Sequence, residues 1–402
     1  MALPAGAVTV DFHGKALTGV LGSSNDYLLG GEYGDSTIMG VGKVRLRAEV
    51  GTDDGRAKMV YGFETGANNF GESDTWEYSG DSKDFENRFA YIQSTLPGMT
   101  DNIFARAGLQ KTGINQWVWT ETAAGLTAYG KGNVNWMTGW FRGLEEDYNS
   151  GVHDTDLFVA KGDFSPASGV TIGGFGVYAT DFGGKGVYEQ EADQFWVGTT
   201  GDLSGKVFAS GDLVYQGGDA GPGGNQDVSA YLANVTVGTH INDTSKVSFN
   251  ALYVSGDCDA SDSDQEAFQS IDADVKVGQI FFKDSIAASM DRFVDDMFGE
   301  RQTFDGMRNN GLINFAVEGE MQLDAKNNLR GAVRYLATAE EYAGEDDLGY
   351  EFDLWYSYKM NQNLTLKLEG AYLISGDLAE HPDVLNDDDN VYQVGAGAVF
   401  AF

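Results

Sequence analysis

The feature that most constrains this chain is alternation. In KVRLRAEV, Val44, Leu46, Ala48 and Val50 share one parity, and Lys43, Arg45, Arg47 and Glu49 share the other. After the turn signal TDDG (52–55), RAKMVYGFE repeats the device, with Ala57, Met59, Tyr61 and Phe63 against Arg56, Lys58 and Glu64. A period of two is that of a β-strand with two unlike faces. The chain even closes on it. In VYQVGAGAVFAF, Tyr392, Val394, Ala396, Ala398, Phe400 and Phe402 oppose Gln393, Gly395, Gly397, Val399 and Ala401. Most domains end in a frayed polar tail; this one ends on a strand pattern.

The connections sort into two lengths. Very short ones are TDDG (52–55), PGMT (97–100), KG (131–132), SPASG (165–169), SG (204–205), NDTS (242–245), DAKNN (324–328) and KMNQN (359–363). Between them lie longer links such as GGDAGPGGNQD (217–227), GEDDLG (344–349) and LAEHPDVLNDDDN (378–390), and a long one over roughly 256–311. A soluble β-sandwich need not alternate short and long connections. A membrane-spanning barrel must, because its two rims face different compartments. Eight tight turns predict sixteen strands, and a first strand near 7–20 and a last over 390–402 make eighteen. The alternative is sixteen, if the hairpin at Lys131–Gly132 folds into the lumen. The expected fold is all-β: one transmembrane antiparallel β-barrel domain over 1–402, with short periplasmic turns and long extracellular loops. Within 256–311, Ile286, Met290, Phe293 and Met297 recur at helical spacing and predict a short helix, and FQSIDADVKV (268–277) alternates like an extra hairpin.

Composition agrees. Gly reaches 55 residues and Pro only 5, while aromatics make up 12%. That balance suits many strands joined by tight turns. No run of 18 apolar residues occurs, so no membrane helix is expected. A mean hydropathy of −0.29 does not argue against membrane insertion, because a barrel shows lipid only every second residue. Aromatics gather near strand ends: Tyr61 and Phe63, Phe89 and Tyr91, Trp136 and Trp140, Tyr356 and Tyr358, Tyr372, Tyr392, Phe400 and Phe402. Interfacial girdles need such rings. Met1-Ala2-Leu3-Pro4 has neither a basic start nor an apolar core, so the expectation is a processed chain whose signal peptide is not in it. The net charge of −35 argues against nucleic-acid binding. Cys258 stands alone, which excludes an intrachain disulfide. His13, His153, His240 and His381 are scattered, and no GxSxG elbow or P-loop occurs, so no enzyme is expected.

With these features the chain resembles the general trimeric porins of Gram-negative outer membranes, and most closely the homotrimeric porins of sulfate-reducing bacteria. The best-defined piece is ENRFAYIQSTLPGMTDNIFARAGLQ (86–110), which is similar to a porin hairpin ending in a Gly-Leu-Gln-like motif before the third loop. Phe402 resembles the C-terminal aromatic that barrel-insertion machinery reads. The resemblance implies an outer-membrane homotrimer in contact with lipid and lipopolysaccharide, and a third loop folded into the pore. It also implies passive diffusion of small hydrophilic solutes and ions. One departure stands out: the third loop, KTGINQWVWTETAAG (111–125), carries only Glu121 where the best-known general porins carry several carboxylates.

The sharpest constellation is basic. Lys15, Lys43, Arg45, Arg47, Arg56, Lys58, Arg88 and Arg106 take the lumen parity on five consecutive strands, out of only 26 Lys plus Arg in the chain. Packed cations repel, and much less so when wet. The resemblance puts such a cluster at the pore constriction, with Arg45, Arg47, Arg88 and Arg106 as matching positions and Lys15 matching by strand. Gln116, Trp117, Trp119 and Glu121 are the candidates for the facing wall, Trp117 and Trp119 equally for pinning the loop to the barrel. A basic wall facing acids creates a transverse field that orients dipolar solutes. The same wall supports a second reading, a substrate-specific channel for carboxylate, phosphate or sulfate. A third is a structural or adhesin barrel blocked by 256–311. Arg330, Arg334, Lys367 and Glu369 form a smaller lumenal set. No cofactor is expected except a candidate calcium loop at Asp257, Asp259, Asp262 and Asp264, which lacks the Gly and Glu of an EF-hand.

Overall fold

The computed structural model describes residues 8–24, 36–70, 85–96, 98, 102–145, 154–182, 192–221, 223–257, 262–273, 277–280, 310–381 and 390–402. Strands run the length of the chain: β1 (Val8–Ser23), β2 (Thr37–Thr52), β3 (Ala57–Asn69), β4 (Phe85–Thr95), β5 (Ile103–Lys111), β6 (Thr122–Gly130), β7 (Val134–Leu144), β8 (Thr155–Ala167), β9 (Val170–Ala179) and β10 (Gln194–Leu203). They continue with β11 (Val207–Ala220), β12 (Gln226–Asn242), β13 (Ser245–Val254), the two-residue β14 (Asp264–Gln265), β15 (Leu312–Gln322), β16 (Asn327–Tyr342), β17 (Glu345–Lys359), β18 (Leu364–Ser375) and β19 (Val391–Ala401).

Consecutive strands pair antiparallel, β13 pairs β15 directly, and β1 pairs β19 from Lys15↔Ala401 to Ser23↔Gln393. The sheet therefore closes on itself with eighteen wall strands, β14 lying outside the wall against β12. Closure leaves no unpaired edge, which a strand in hydrocarbon could not tolerate. The hairpin at Lys131–Gly132 belongs to the wall, since β6 pairs both β5 and β7, and this decides for eighteen strands over sixteen. At the seam, Gly14 and Phe402 exchange two backbone hydrogen bonds of 3.0 Å, so the last residue extends the ladder.

Two of the expected long links are short. β11 runs to Ala220 and β12 starts at Gln226, and β16 and β17 are joined only by Ala343 and Gly344. Their Gly- and Asp-rich residues extend strands beyond the usual span instead of looping. Ala343 and Gly344 both take positive φ, 56° and 94°, as a two-residue hairpin turn requires. Of the segment expected as a hairpin (268–277), residues 274–276 lie outside the described residues, and Asp272 bridges to Trp119 of the third loop. The expected helix around Ile286–Met297 lies outside the described residues.

The outer surface carries the apolar belt: Phe12, Ile92, Leu126, Phe158, Leu213, Val317, Leu354 and Leu368 are among its exposed side chains. Tyr178, Tyr215, Tyr231, Tyr350, Tyr372 and Tyr392 are exposed on the strands of the loop-side rim, and Tyr215↔Tyr231 and Tyr372↔Tyr392 stand in direct register. Rings at that height form an interfacial girdle. This exterior, on a closed barrel, makes the protein an outer-membrane barrel. Phe89 and Tyr91 do not join the girdle. A bulge opposite Gly62–Phe63 inserts Arg88 between Phe89 and Asn87, and below it the inward parity of β4 is Phe89, Tyr91 and Gln93. Gly40 faces outward but is covered by the Phe70 ring, which the Cβ of any other residue would meet at 2.2 Å.

Two loops fold into the barrel. The third (112–121) and the described part of the seventh (255–311) form a buried apolar cluster with the inner faces of β7–β19. It includes Ile114, Val118, Trp119, Phe141, Phe175, Trp196, Phe268, Ile271, Ile280, Leu336 and Leu373. The seventh loop is held by Trp196, whose Nε1 donates to the Gln269 carbonyl at 2.8 Å. It is also held by Glu351, whose carboxylate accepts the backbone N–H of Gln279 and Ile280 at 2.5 and 3.0 Å.

Candidate functional site

The inner faces of β1–β5 stay outside that cluster and carry charge. Antiparallel register sets Lys15 opposite Arg45 and Arg45 opposite Glu64. Lys43, Arg45 and Arg88 converge on this one carboxylate. Lys43 Nζ lies 2.6 Å from it, Arg45 Nε donates to it, and Arg88 reaches within 3.9 Å. Arg88 also pairs with Glu121 at 3.3 Å. Because Arg88 sits on the bulge, it leans towards the base of the third loop.

A second tier lies lower on the same strands. Glu49 accepts Lys58 at 2.7 Å and Arg47 at 3.1 Å, with His13 at 3.9 Å. Arg106 lies beside it, since Lys58 opposes Gln93 and Gln93 opposes Arg106. The guanidinium of Arg106 stands over the rings of Tyr91 and Tyr129, 4.9 and 4.6 Å from their centroids, and donates to Gln93 Oε1 at 2.9 Å. The strand position opposite Lys58 is Gly51, six steps from Arg45, about 20 Å along the strand at ~3.3 Å per residue. Arg56 lies apart, exposed in the β2–β3 turn, with its backbone N–H on Asp54. Asp54 is held below the usual carboxylate range by the Thr52 hydroxyl and that backbone N–H.

Five cations of the two tiers (Lys43, Arg45, Arg88, Arg47, Lys58) thus meet three carboxylates, Glu64, Glu121 and Glu49, with Lys15 in register beside Arg45. Arg45 and Arg47 keep side-chain exposures of 32% and 39%. A pocket of about 270 Å³ opens against them, lined by His13, Lys15, Arg45, Arg47, Arg88, Phe89, Lys111, Thr120 and Thr122 among others. Lys43 differs: its side chain is fully buried, so it is no solute contact.

The loop candidates fall into different roles. Trp117 and Trp119 are buried and pin the third loop. Its tip is anchored on the far wall by Asp212 of β11, which accepts Asn115 Nδ2 at 2.9 Å, Trp117 Nε1 at 3.0 Å and Gln116 Nε2 at 3.4 Å. Lys161 of β8 donates to the Gly113 and Ile114 carbonyls at 3.0 and 2.8 Å. Glu121, at the loop's base, joins the basic wall instead of facing it. An amide row, Asn234, Asn250 and Asn314, continues from Asp212 across three strands. The smaller basic set is occupied: Arg330 pairs with Glu318 at 3.0 Å, and Arg334 with Asp353 at 2.8 Å.

Sequence reasoning placed Glu64 on a polar face without assigning it a role. It also passed over Asp212 and Lys111. The signal for Glu64 was its register with Arg45; for Lys111, its place at the head of the third loop; for Asp212 there was none. Among the described residues no group of three or more His, Cys, Asp or Glu could hold a metal ion. Asp257 and Asp262 accept backbone N–H groups of Glu266 and Asp264, and Asp259 lies outside the described residues.

No protein-family model and no curated protein sequence matches the chain. Solved structures do. The BenF-like porin of Pseudomonas fluorescens Pf-5 superposes with a TM-score of 0.60 at 10% identity, covering 98% of both chains. The outer membrane protein OpdK of Pseudomonas aeruginosa gives 0.57 at 10%, over 98% of this chain and 99% of that one. OccAB4 of Acinetobacter baumannii gives 0.58 at 9%, over 97% of each. The fold is that of the outer-membrane porins, over the whole chain.

Proposed function

We propose that this protein is a passive diffusion channel for small hydrophilic solutes and ions. Its eyelet runs along the basic wall of β1–β5. The observation that carries the reading is the contrast between the two sides of the lumen: two loops pack an apolar cluster onto the inner face of β7–β19, while Arg45 and Arg47 stay wetted beside a pocket. A water path beside fixed cations passes anions more readily than cations. No catalytic step is assigned.

Purified protein in a planar bilayer tests this. A conducting pore with an anion-selective reversal potential under a salt gradient is expected. Arg45→Gln together with Arg47→Gln should move permeability towards cations. A non-conducting protein refutes the channel and favours a barrel blocked by its seventh loop; an unchanged ratio in the double variant removes these arginines from the eyelet.

A second reading, a channel specific for an anion class, is favoured by the neighbour OpdK, which was crystallised with vanillate, a carboxylate. Conductance that saturates with one anion and not another separates the two. We also infer a homotrimer, as the resembling porins form. The outward faces of β1–β6 carry small residues such as Ala48, Ala90, Ala105, Ala107, Ala124 and Ala128, whereas the exposed tyrosines of the loop-side rim gather on β9–β19. A loop-side rim that, among the described residues of β1–β6, shows no exposed tyrosine suits protein better than lipid. A monomeric mass in mild detergent refutes it. Calcium at 256–266 is a separate proposal, which terbium luminescence on the purified protein would reject by showing no sensitised emission.

A further inference from the structure

Two charges of the wall never meet a solute. The side chain of Lys43 is 0% exposed, that of Glu64 2%, and they lie 2.6 Å apart. Burying an ion pair is costly, and apolar or neutral side chains of similar volume would commonly hold the same space at no loss of stability. Packing therefore does not explain the charges. Their neighbours do: the same carboxylate accepts Arg45 Nε and stands 3.9 Å from Arg88, and both arginines line the pocket.

We propose that the buried Lys43–Glu64 pair is a concealed selectivity element of the eyelet. Glu64 fixes the guanidinium groups of Arg45 and Arg88 beside each other and subtracts one charge from the wall. Lys43 restores that charge from a position that mobile ions cannot screen. Surface charges lose their reach within about 8 Å at physiological salt, while buried ones are screened much less. The proposal rests on the reading of this wall as the eyelet of a channel. It predicts that residues without solvent contact control which ions pass.

The test is a charge cycle read as reversal potential in planar bilayers, with Arg45→Gln as reference. Lys43→Met removes a positive charge and should lower the anion-to-cation permeability ratio about two- to fourfold, the combined effect on anion and cation of a unit charge roughly 10–20 Å away through a water-like dielectric. Glu64→Gln should raise it by a similar factor. The double variant, which conserves net charge, should return close to the wild-type ratio. If Arg45→Gln shifts the ratio and neither buried substitution does, the pair is only structural and the proposal falls. If Arg45→Gln also leaves the ratio unchanged, the eyelet reading fails, and the proposal with it. Glu64→Gln takes away the carboxylate 2.6 Å from the buried Lys43 ammonium. Should that variant not fold, as judged by loss of the heat-modifiable barrel band, Lys43→Met decides alone, because its Glu64 keeps Arg45 and Arg88.

Discussion

Consider removal of the Asp212 carboxylate. On the far wall it accepts hydrogen bonds from three side chains at the tip of the third loop, Asn115 at 2.9 Å, Trp117 at 3.0 Å and Gln116 at 3.4 Å. Hydrogen bonds to a charged group contribute about 1.5–3 kcal/mol each. Counting only the two shorter ones, Asp212→Ala should weaken the tip by roughly 3–6 kcal/mol before relaxation. The rest of the loop stays held: Lys161 binds the Gly113 and Ile114 carbonyls, and Val118 and Thr120 pair with Ile271 and Asp272. Taking about 3 kcal/mol as the surviving effect, the detached tip should become about a hundredfold more populated. Hydrogen exchange of a peptide covering 111–121 in micelles reads this directly, because the Ile114, Trp117 and Val118 amides bond only within the loop. Exchange should quicken about a hundredfold in Asp212→Ala and less in Asp212→Asn, which keeps one acceptor oxygen. In bilayers the same variant should show noisier open-channel current. Exchange unchanged in a properly folded Asp212→Ala barrel would mean that burial of Trp117, Val118 and Trp119 alone holds the loop, and the anchor argument would be wrong.

Other substitutions probe the frame. Gly108→Ala should destabilise the β4–β5 hairpin by about 2–3 kcal/mol, since Gly108 has φ 120° and a Cβ there would lie 2.2 Å from the Ala90 carbonyl oxygen; an unmoved urea midpoint in detergent would contradict this. Ala343→Gly should stabilise the β16–β17 turn by about 1 kcal/mol, because Ala343 holds φ 56°, read as a raised melting temperature. Glu351→Ala removes the acceptor of the Gln279 and Ile280 amides and should speed their exchange while the β17–β18 ladder stays protected. Asp324 is held below the usual carboxylate range by the backbone N–H of Lys326 and the Asn327 side chain. A depressed folded-state value contributes stability above the ordinary carboxylate pKa and loses it as pH falls through the folded one, so the β15–β16 turn should loosen only in strong acid, as followed by NMR of the Asn327 amide.

Much of the barrel was legible because lipid and water differ across every strand. Val44, Leu46 and Ala48 against Lys43, Arg45 and Arg47 could only be two faces, and TDDG or NDTS could only be turns. What escaped was whatever depends on one extra residue or on distant partners. The bulge at Arg88 flips Phe89 and Tyr91 inward, yet ENRFAY reads equally well in either parity. The run GEDDLG has loop composition, but five of its six residues, Glu345 to Gly349, lie in β17 because β16 supplies a matching ladder. Glu64 was visible as polar; that it is buried under three cations follows from β2 and β4 meeting it in space. Asp212 looked like any lumenal acid, and only the fold of the third loop gives it an occupation.

The shared interior cluster has a consequence for timing. Asn115 and Trp117 wait for Asp212, Val118 and Thr120 for Ile271 and Asp272, and Gln279 for Glu351. Each constricting segment is therefore completed by a strand or loop that arrives later in translocation. A chain stopped before β17 would own all eight basic residues and still lack Glu351, one of the two anchors of its seventh loop. The proposed eyelet is consequently a late product of assembly, finished only when the strands and loops that anchor its segments are in place.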